Sequence, residues 1–282
     1  MHPLPLPPLP PLLLGIDFTC APSRRKPITV ALGWRCGDRI QLDRQLSLTT
    51  LDDYTALLQR PGPWLAGCDF PFGLPRAFVD ALGLGDSTAA VIAEVHRRCP
   101  TRKDWRRLID AFGNSRPAGQ RLLHRVTDRA RPGFSSTSPL QTRYVPVGFM
   151  YYEGLSRLVD AGVTLPRMHE GDPARQALEA YPGLLAFELI GRRSYKNGDD
   201  GARLEARERM LDRLEQGHCL PGLRLLLSPG QRAPLLHDAS GDRLDAVLCL
   251  VQAALAHGRP DLGMPAEVDP VEGWITGAGP GV

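Results

Sequence analysis

Two short apolar runs, each closing on an aspartate, constrain this chain more than any other feature. Leu12-Leu13-Leu14-Gly15-Ile16 ends on Asp17, and Trp64-Leu65-Ala66-Gly67-Cys68 ends on Asp69. Runs of this length without polar alternation suit strands buried on both faces. Residues 27–34 and 39–48 read as two further strands, with Gly37-Asp38 as a hairpin turn. Thr50 or Asp52 caps a short helix through Gln59, which Pro61-Gly62-Pro63 ends. The opening therefore reads β-β-β-α-β. Hairpin-linked strands followed by a helical crossover give a mixed sheet rather than a purely parallel one.

Residues 76–162 read as helices and loops and form a basic helical insert. Within 94–131 there are eleven Lys or Arg and only four acids, so this stretch carries +7 while the whole chain carries +3. Such a stretch is either a solvated helix face or an electrostatic footprint. Further on, 176–180 is a strand candidate and Tyr181-Pro182 suits a turn into a helix over 183–190. Residues 202–216 are amphipathic, with Leu204, Leu211 and Leu214 on one side and Arg203, Arg207 and Arg209 exposed. A last helix over 242–256 carries Leu244, Val247, Leu248, Val251 and Leu255 at helical spacing, and 270–275 reads as a closing strand. With no internal repeat and no long linker, residues 1–282 read as one domain.

Hydrophobic residues make up 43% and charged residues 23% of the chain, the balance of an ordinary globular protein. No stretch approaches the ~20 apolar residues of a membrane helix. Residues 1–11 read as a flexible leader: prolines forbid a helix there, and no Lys or Arg supplies the basic start of a signal peptide. Six scattered cysteines without a C-x-x-C pair argue against a zinc site or a disulfide framework and point to a reduced, cytoplasmic setting. There is no G-x-S-x-G, H-E-x-x-H or P-loop, which removes the common hydrolase and nucleotide-binding signatures. The seven histidines are dispersed, and His237, just ahead of the last helix, is the one nearest the interesting residues.

If the strands ending on Asp17 and Asp69 are neighbours, ~4.8 Å apart, their carboxylates converge. Two such anions repel unless a cation joins them, and a hard divalent ion with oxygen ligands is the natural partner. Asp242 and Asp245, spaced i, i+3, share one face of the first turn of the last helix, and Ala246 lets that helix sit close to the sheet. Taken singly, acids in a first turn are helix caps and an Asp after a strand is a turn residue.

In this order the motifs resemble a known family. Gly15-Ile16-Asp17, Asp69-Phe70-Pro71-Phe72-Gly73-Leu74-Pro75, Glu179-Ala180-Tyr181-Pro182, Asp242-Arg243-Leu244-Asp245-Ala246 and Glu272-Gly273-Trp274-Ile275 together are similar to a poorly characterised RNase H-like family of predicted nucleases, a domain of unknown function. The Asp-x-x-Asp-Ala opening of the last helix also resembles the Holliday-junction resolvase branch of that superfamily. The resemblance implies an α/β fold with a five-stranded mixed sheet in order 3-2-1-4-5, flanked by helices, with strands 1 and 4 parallel neighbours and the helical insert after strand 4. It implies that Asp17 bridges two Mg²⁺ or Mn²⁺ ions, that Asp69 is a second ligand, and that Asp245 with Asp242 completes the site. Glu179, on the fifth strand, is then either an added ligand or a carboxylate bonded to the backbone. Tyr195-Lys196 also fits the pattern, with Lys196 either steadying a scissile phosphate or simply exposed.

The activity implied is two-metal hydrolysis of phosphodiesters. Arg97, Arg98, Arg102, Lys103, Arg106, Arg107, Arg125 and Arg129 are then expected to track phosphates. Trp105 and Phe112 among them either stack on bases or pack in the core. Nucleic acid, DNA or RNA alike, is the implied partner, a membrane is not, and a dimer is compatible with the reading. Two rivals stand beside it. One is an actin-like ATPase or sugar kinase, because Asp17-Phe18-Thr19 resembles the first phosphate loop of that group; its later Gly-rich motif has only the terminal cluster 277–281 to match it. The other is a non-catalytic nucleic-acid- or protein-binding module with a residual metal site.

Overall fold

The structure, a computed structural model, describes residues 11–218 and 222–279. The expected leader (but for Pro11), Cys219 and the end of the terminal glycine cluster lie outside the described residues. In chain order the elements are β1 (Leu12–Asp17), β2 (Ile28–Cys36), β3 (Arg39–Leu48), α1 (Leu51–Leu58), β4 (Trp64–Cys68), α2 (Arg76–Leu82), α3 (Thr88–Arg98), α4 (Arg102–Asn114) and α5 (Val147–Asp160). There follow β5 (Val163–Thr164), β6 (Asp172–Glu179), α6 (Pro182–Ile190), α7 (Gly201–Gln216), β7 (Arg224–Leu226), α8 (Pro229–Leu236) and α9 (Asp242–His257).

The molecule is α/β, built on a mixed sheet of seven strands in the order β5-β6-β4-β1-β2-β3-β7. The resemblance implies five; the two-residue β5 and three-residue β7 that extend the edges have too little periodicity to register in a sequence. β1 pairs antiparallel with β2 and parallel with β4, with Ile16 opposite Cys68, so the chain leaves both strands on the same edge of the sheet. β6 is parallel to β4 on its other side. Residues 270–275 do not form the expected closing strand: 271–273 are a turn or irregular, and only Ile275 bridges to Glu179. The polar Glu272 is spent instead on the backbone N–H groups of Arg76 and Val126.

Alternation along the central strands divides the interior in two. Leu14 and Ile16 face a core shared with α1 to α5, whereas Leu13 and Leu65 face α6, α7 and α9. The helices of 76–162 therefore pack directly on the sheet. Trp105 and Phe112 are buried there, edge-on to Phe78, which decides between their two readings in favour of core packing. Local signals set the helix ends. Thr50 and Asp53 form a reciprocal capping box at α1, and Ser87, Thr101, Asp200 and Ser228 cap α3, α4, α7 and α8.

α9 is the helix that matters for the site. It is buried from Leu244 to Ala256 and crosses β1 and β4 at backbone contact. A Cβ on Gly15 would lie 2.0 Å from the carbonyl oxygen of Ala246, and one on Gly67 would lie 2.5 Å from that of Cys249. Glycine at both strand centres is what lets the helix lie this low, and its first turn meets the strand ends. No helix among the described residues is long and apolar enough to cross a membrane.

Candidate carboxylate site

Asp17 closes β1, Asp69 follows β4, and Asp245 occupies the first turn of α9. The Asp69 N–H donates to the carbonyl of Ile16 at 2.9 Å, which ties the two strand ends together. One carboxylate oxygen from each of Asp17, Asp69 and Asp245 lies within 4.8 Å of the others. Asp245 is fully buried, and Asp17 and Asp69 are partly so.

Burial, reinforced by Asp69 and Asp242, pushes the Asp17 carboxyl well above the usual carboxylate range. Burial likewise pushes Asp69 up to about 6, with Lys196 opposing and Glu179 and Asp242 adding to the rise. Asp242, the first residue of α9, thus acts on the pair through its charge but is not one of the three converging carboxylates. The i, i+3 spacing puts both helix acids on one face, yet only Asp245, a turn further into α9, is fully buried and makes the close approach.

Asp245 is held from two directions. The Tyr195 hydroxyl donates to its Oδ1 at 2.6 Å, and the Lys196 ammonium forms an ion pair with its Oδ2. Burial and the nearby carboxylates push the Tyr195 phenol well up, so it stays a donor. The loop carrying both residues is fixed by Arg207, whose guanidinium donates to the carbonyls of Tyr195, Gly198 and Leu236. Amphipathicity assigns Arg207 to the exposed face of α7, yet the residue is buried. Its spacing from Leu204, Leu211 and Leu214 puts it on their face of the helix, and two carbonyls of the loop with one at the end of α8 satisfy its guanidinium there. Tyr195 is the site residue that sequence reasoning missed, although the Tyr-Lys dipeptide was itself visible.

Glu179, at the end of β6, is not free to join the cluster. Its oxygens accept from Arg125 at 2.6 and 2.7 Å, and Oε2 also accepts from the Phe72 N–H at 2.8 Å. Arg125 in turn donates to Asp128 at 2.8 Å and to the Glu272 carbonyl at 3.0 Å. The backbone bond of the second reading of Glu179 is present, from the Phe72 N–H. Arg125, expected to contact phosphates, is 2% exposed and committed to two carboxylates.

No family model, curated protein or solved structure matches the chain.

The other basic residues expected to face phosphates are also largely engaged within the protein. Arg97 and Arg98 pair with Glu94 at 2.6 and 2.5 Å, Arg107 with Asp104 at 3.1 Å, and Arg102 with Glu153 at 3.4 Å. Arg106 donates to the Thr142 carbonyl and lies 4.7 Å over the Phe149 ring. Lys103 and Arg129 are exposed and have no ion pair among the described residues. Of the excess charge read from 94–131, only part is offset from outside the stretch, by Glu153 on Arg102, Glu179 on Arg125 and Glu188 on Arg131. His237 is an exposed residue at the C-terminal end of α8.

A pocket of about 270 Å³ opens beside Asp69 and Lys196. Phe70 and Tyr181 contribute from the sheet side, and Val147 and Met150 of α5 cover it. Asp69 and Lys196 are the residues of the cluster that line it, beside the Arg125–Glu179 pair and a set of apolar side chains. Three converging carboxylates and one ammonium offer oxygen ligands to a hard cation and a positive contact to an anionic substrate.

Proposed function

We propose that this protein is a metal-dependent nuclease of the RNase H-like type. The observation that carries the proposal is the convergence of Asp17, Asp69 and Asp245 from β1, β4 and α9 around Lys196. The run β3-β2-β1-β4-β6 within the sheet, with α9 lying across β1 and β4, supports the same reading, because it is the arrangement the RNase H-like resemblance implies. The Asp17 and Asp69 carboxyls are raised chiefly by burial, with neighbouring carboxylates adding to the rise and Lys196 opposing it, and a divalent cation fits that donor set.

Asp17, Asp69 and Asp245 would hold Mg²⁺ or Mn²⁺, as two ions, with Asp242 adding negative charge alongside. The chemistry such ions supply is activation of a water and stabilisation of the leaving oxygen of a phosphodiester. Tyr195 fixes the Asp245 carboxylate through its hydroxyl, so that carboxylate keeps one orientation. Lys196 offsets the negative charge of the cluster and is the cation that meets a substrate phosphate from the pocket wall. Glu179 and Arg125 hold the end of β6 and the turn after β4 in place, which keeps Asp69 in register with Asp17. Free thiols at Cys20, Cys36, Cys68, Cys99 and Cys249 suit a reducing, cytoplasmic setting.

The test pairs binding with turnover. Calorimetry with Mn²⁺ and cleavage of labelled single-stranded, duplex and branched oligonucleotides are measured on the wild type and on Asp17→Asn. The proposal expects Mn²⁺ binding and Mn²⁺-dependent cleavage in the wild type and loss of both in the variant, with its circular dichroism unchanged. Cleavage that persists in Asp17→Asn overturns it.

A further inference from the structure

A second concavity lies on the far side of the segment that walls the carboxylate cleft. It is an open groove of about 720 Å³ between the loop after Thr127–Arg129 and the end of α6. Arg129 stands on one bank and Arg192 and Arg193 on the other, with Phe134 and Phe187 between them. No acidic residue is among its lining. The two ring centroids are 5.5 Å apart, both rings are partly exposed, and the Arg192 guanidinium lies 5.8 Å over Phe187.

The groove is preformed and joined to the site. On one bank the Ser136 hydroxyl donates to Asp128 at 2.7 Å, and Asp128 is itself locked by Arg125. Arg131 pairs with Glu188 of α6 at 2.7 Å, and Arg192 donates to the Gly133 carbonyl at 2.9 Å, which ties the two banks together. Tyr195 is among the residues lining the groove, and its hydroxyl holds Asp245. Its neighbour Lys196 lines the carboxylate pocket, as do Ser136 and Thr137, which follow the groove residue Ser135. The same two segments therefore face the groove on one side and the cleft on the other.

We infer that this groove binds single-stranded nucleic acid, with phosphates on Arg129, Arg192 and Arg193 and unpaired bases against Phe134 and Phe187. Arg129 and Arg192 have no carboxylate partner among the described residues, and Arg193 has only a 3.8 Å contact with the exposed Glu205, so they release counterions when phosphates arrive, whereas Arg97, Arg98, Arg102 and Arg107 are paired with acids at 3.4 Å or less. Exposed aromatic faces accept bases only where the bases are not stacked in a duplex, which selects a single strand. The inference deepens the nuclease reading and rests on it for the direction of the strand into the cleft.

The experiment is fluorescence anisotropy of a short 5′-fluorescein-labelled oligothymidylate in EDTA, titrated at several salt concentrations, with cleavage in Mn²⁺ followed separately. The variants are Arg129→Ala/Arg193→Ala in the groove and Arg97→Ala/Lys103→Ala/Arg107→Ala on α3 and α4. The groove variant is expected to bind at least about tenfold more weakly, with a salt slope shallower by roughly 0.7 for each phosphate left without its arginine. The helix variant is expected to bind as the wild type does, and a duplex of the same length to bind more weakly than the single strand. A groove variant with wild-type affinity, or a wild type with no affinity, overturns the inference. Cleavage by the wild type that is indifferent to the groove substitutions leaves the nuclease reading standing and removes this one. Groove-dependent binding without cleavage under any divalent ion does the reverse.

Discussion

The Tyr195 hydroxyl donates a 2.6 Å hydrogen bond to Oδ1 of Asp245, a carboxylate with no exposure to solvent. Buried charge is tolerated only where it is matched, and Tyr195 and Lys196 supply the match from one loop. That loop joins α6 to α7, so an element far from the strand ends decides how the last carboxylate is aimed.

Tyr195→Phe removes the donor and keeps the ring. A hydrogen bond to a charged group contributes about 1.5–3 kcal/mol. Mn²⁺ affinity in calorimetry is expected to fall about tenfold, while far-UV circular dichroism stays unchanged. Unaltered affinity shows that Asp245 needs no positioning.

The Arg125–Glu179 pair is buried on both sides. Removing one partner from such a pair leaves an uncompensated charge and costs about 3–5 kcal/mol. Glu179→Ala and Arg125→Ala should each lower the urea midpoint severely, and a divalent ion should not restore it. A structurally silent Glu179→Ala that loses only metal binding would return Glu179 to the ligand set.

Asp69 gives a pH signature in chelator. Its folded carboxyl titrates at about 6 against ~3.9 for an unfolded Asp, so the folded state binds the proton more tightly. Its contribution to stability is accordingly present at low pH and is lost as pH rises from ~4 to about 6. Asp69→Asn should therefore be more stable than the wild type at pH 8 in EDTA, by a margin on the order of 2 kcal/mol, and show no gain at pH 4. Saturating Mn²⁺ should raise the melting temperature of the wild type and leave that of the variant where it was. Equal melting temperatures at pH 8 in EDTA contradict the cost of burying an ionised Asp69.

Gly15→Ala tests the close approach of α9. The added methyl meets the Ala246 carbonyl and the Leu250 N–H, backbone atoms that cannot rotate away. Overpacking of this kind costs about 1–3 kcal/mol or more. A drop in the thermal midpoint together with weakened Mn²⁺ binding is expected, because lifting α9 moves Asp245. Loss of stability with metal affinity intact argues that the helix can shift without the site.

Much of this was legible in the sequence because it is written in short-range pattern. The two apolar runs ending on Asp17 and Asp69 became adjacent parallel strands, and the run from Leu244 to Leu255 became the buried α9. The capping residues marked where helices begin. Edge strands of two and three residues carry no such pattern, and the stretch 270–275 reads as a strand until its polar groups find partners elsewhere.

What the sequence by itself determined is therefore the order of elements and the placing of an acid at each of two strand ends and in the first turn of a helix. Only the tertiary structure decided what those charges do. Arg125 and Glu179 are 54 residues apart, and nothing in their spacing shows that they neutralise each other. Asp242 and Asp245 look equivalent until α9 descends onto Gly15 and brings one of them to Asp17 and Asp69. Eight basic residues look alike as a run, yet most are matched by acids and carbonyls at close range, and only Arg129 reaches the groove. Charge is a property of each residue, but whether it is available to a ligand depends on every neighbour the fold brings within a few ångströms.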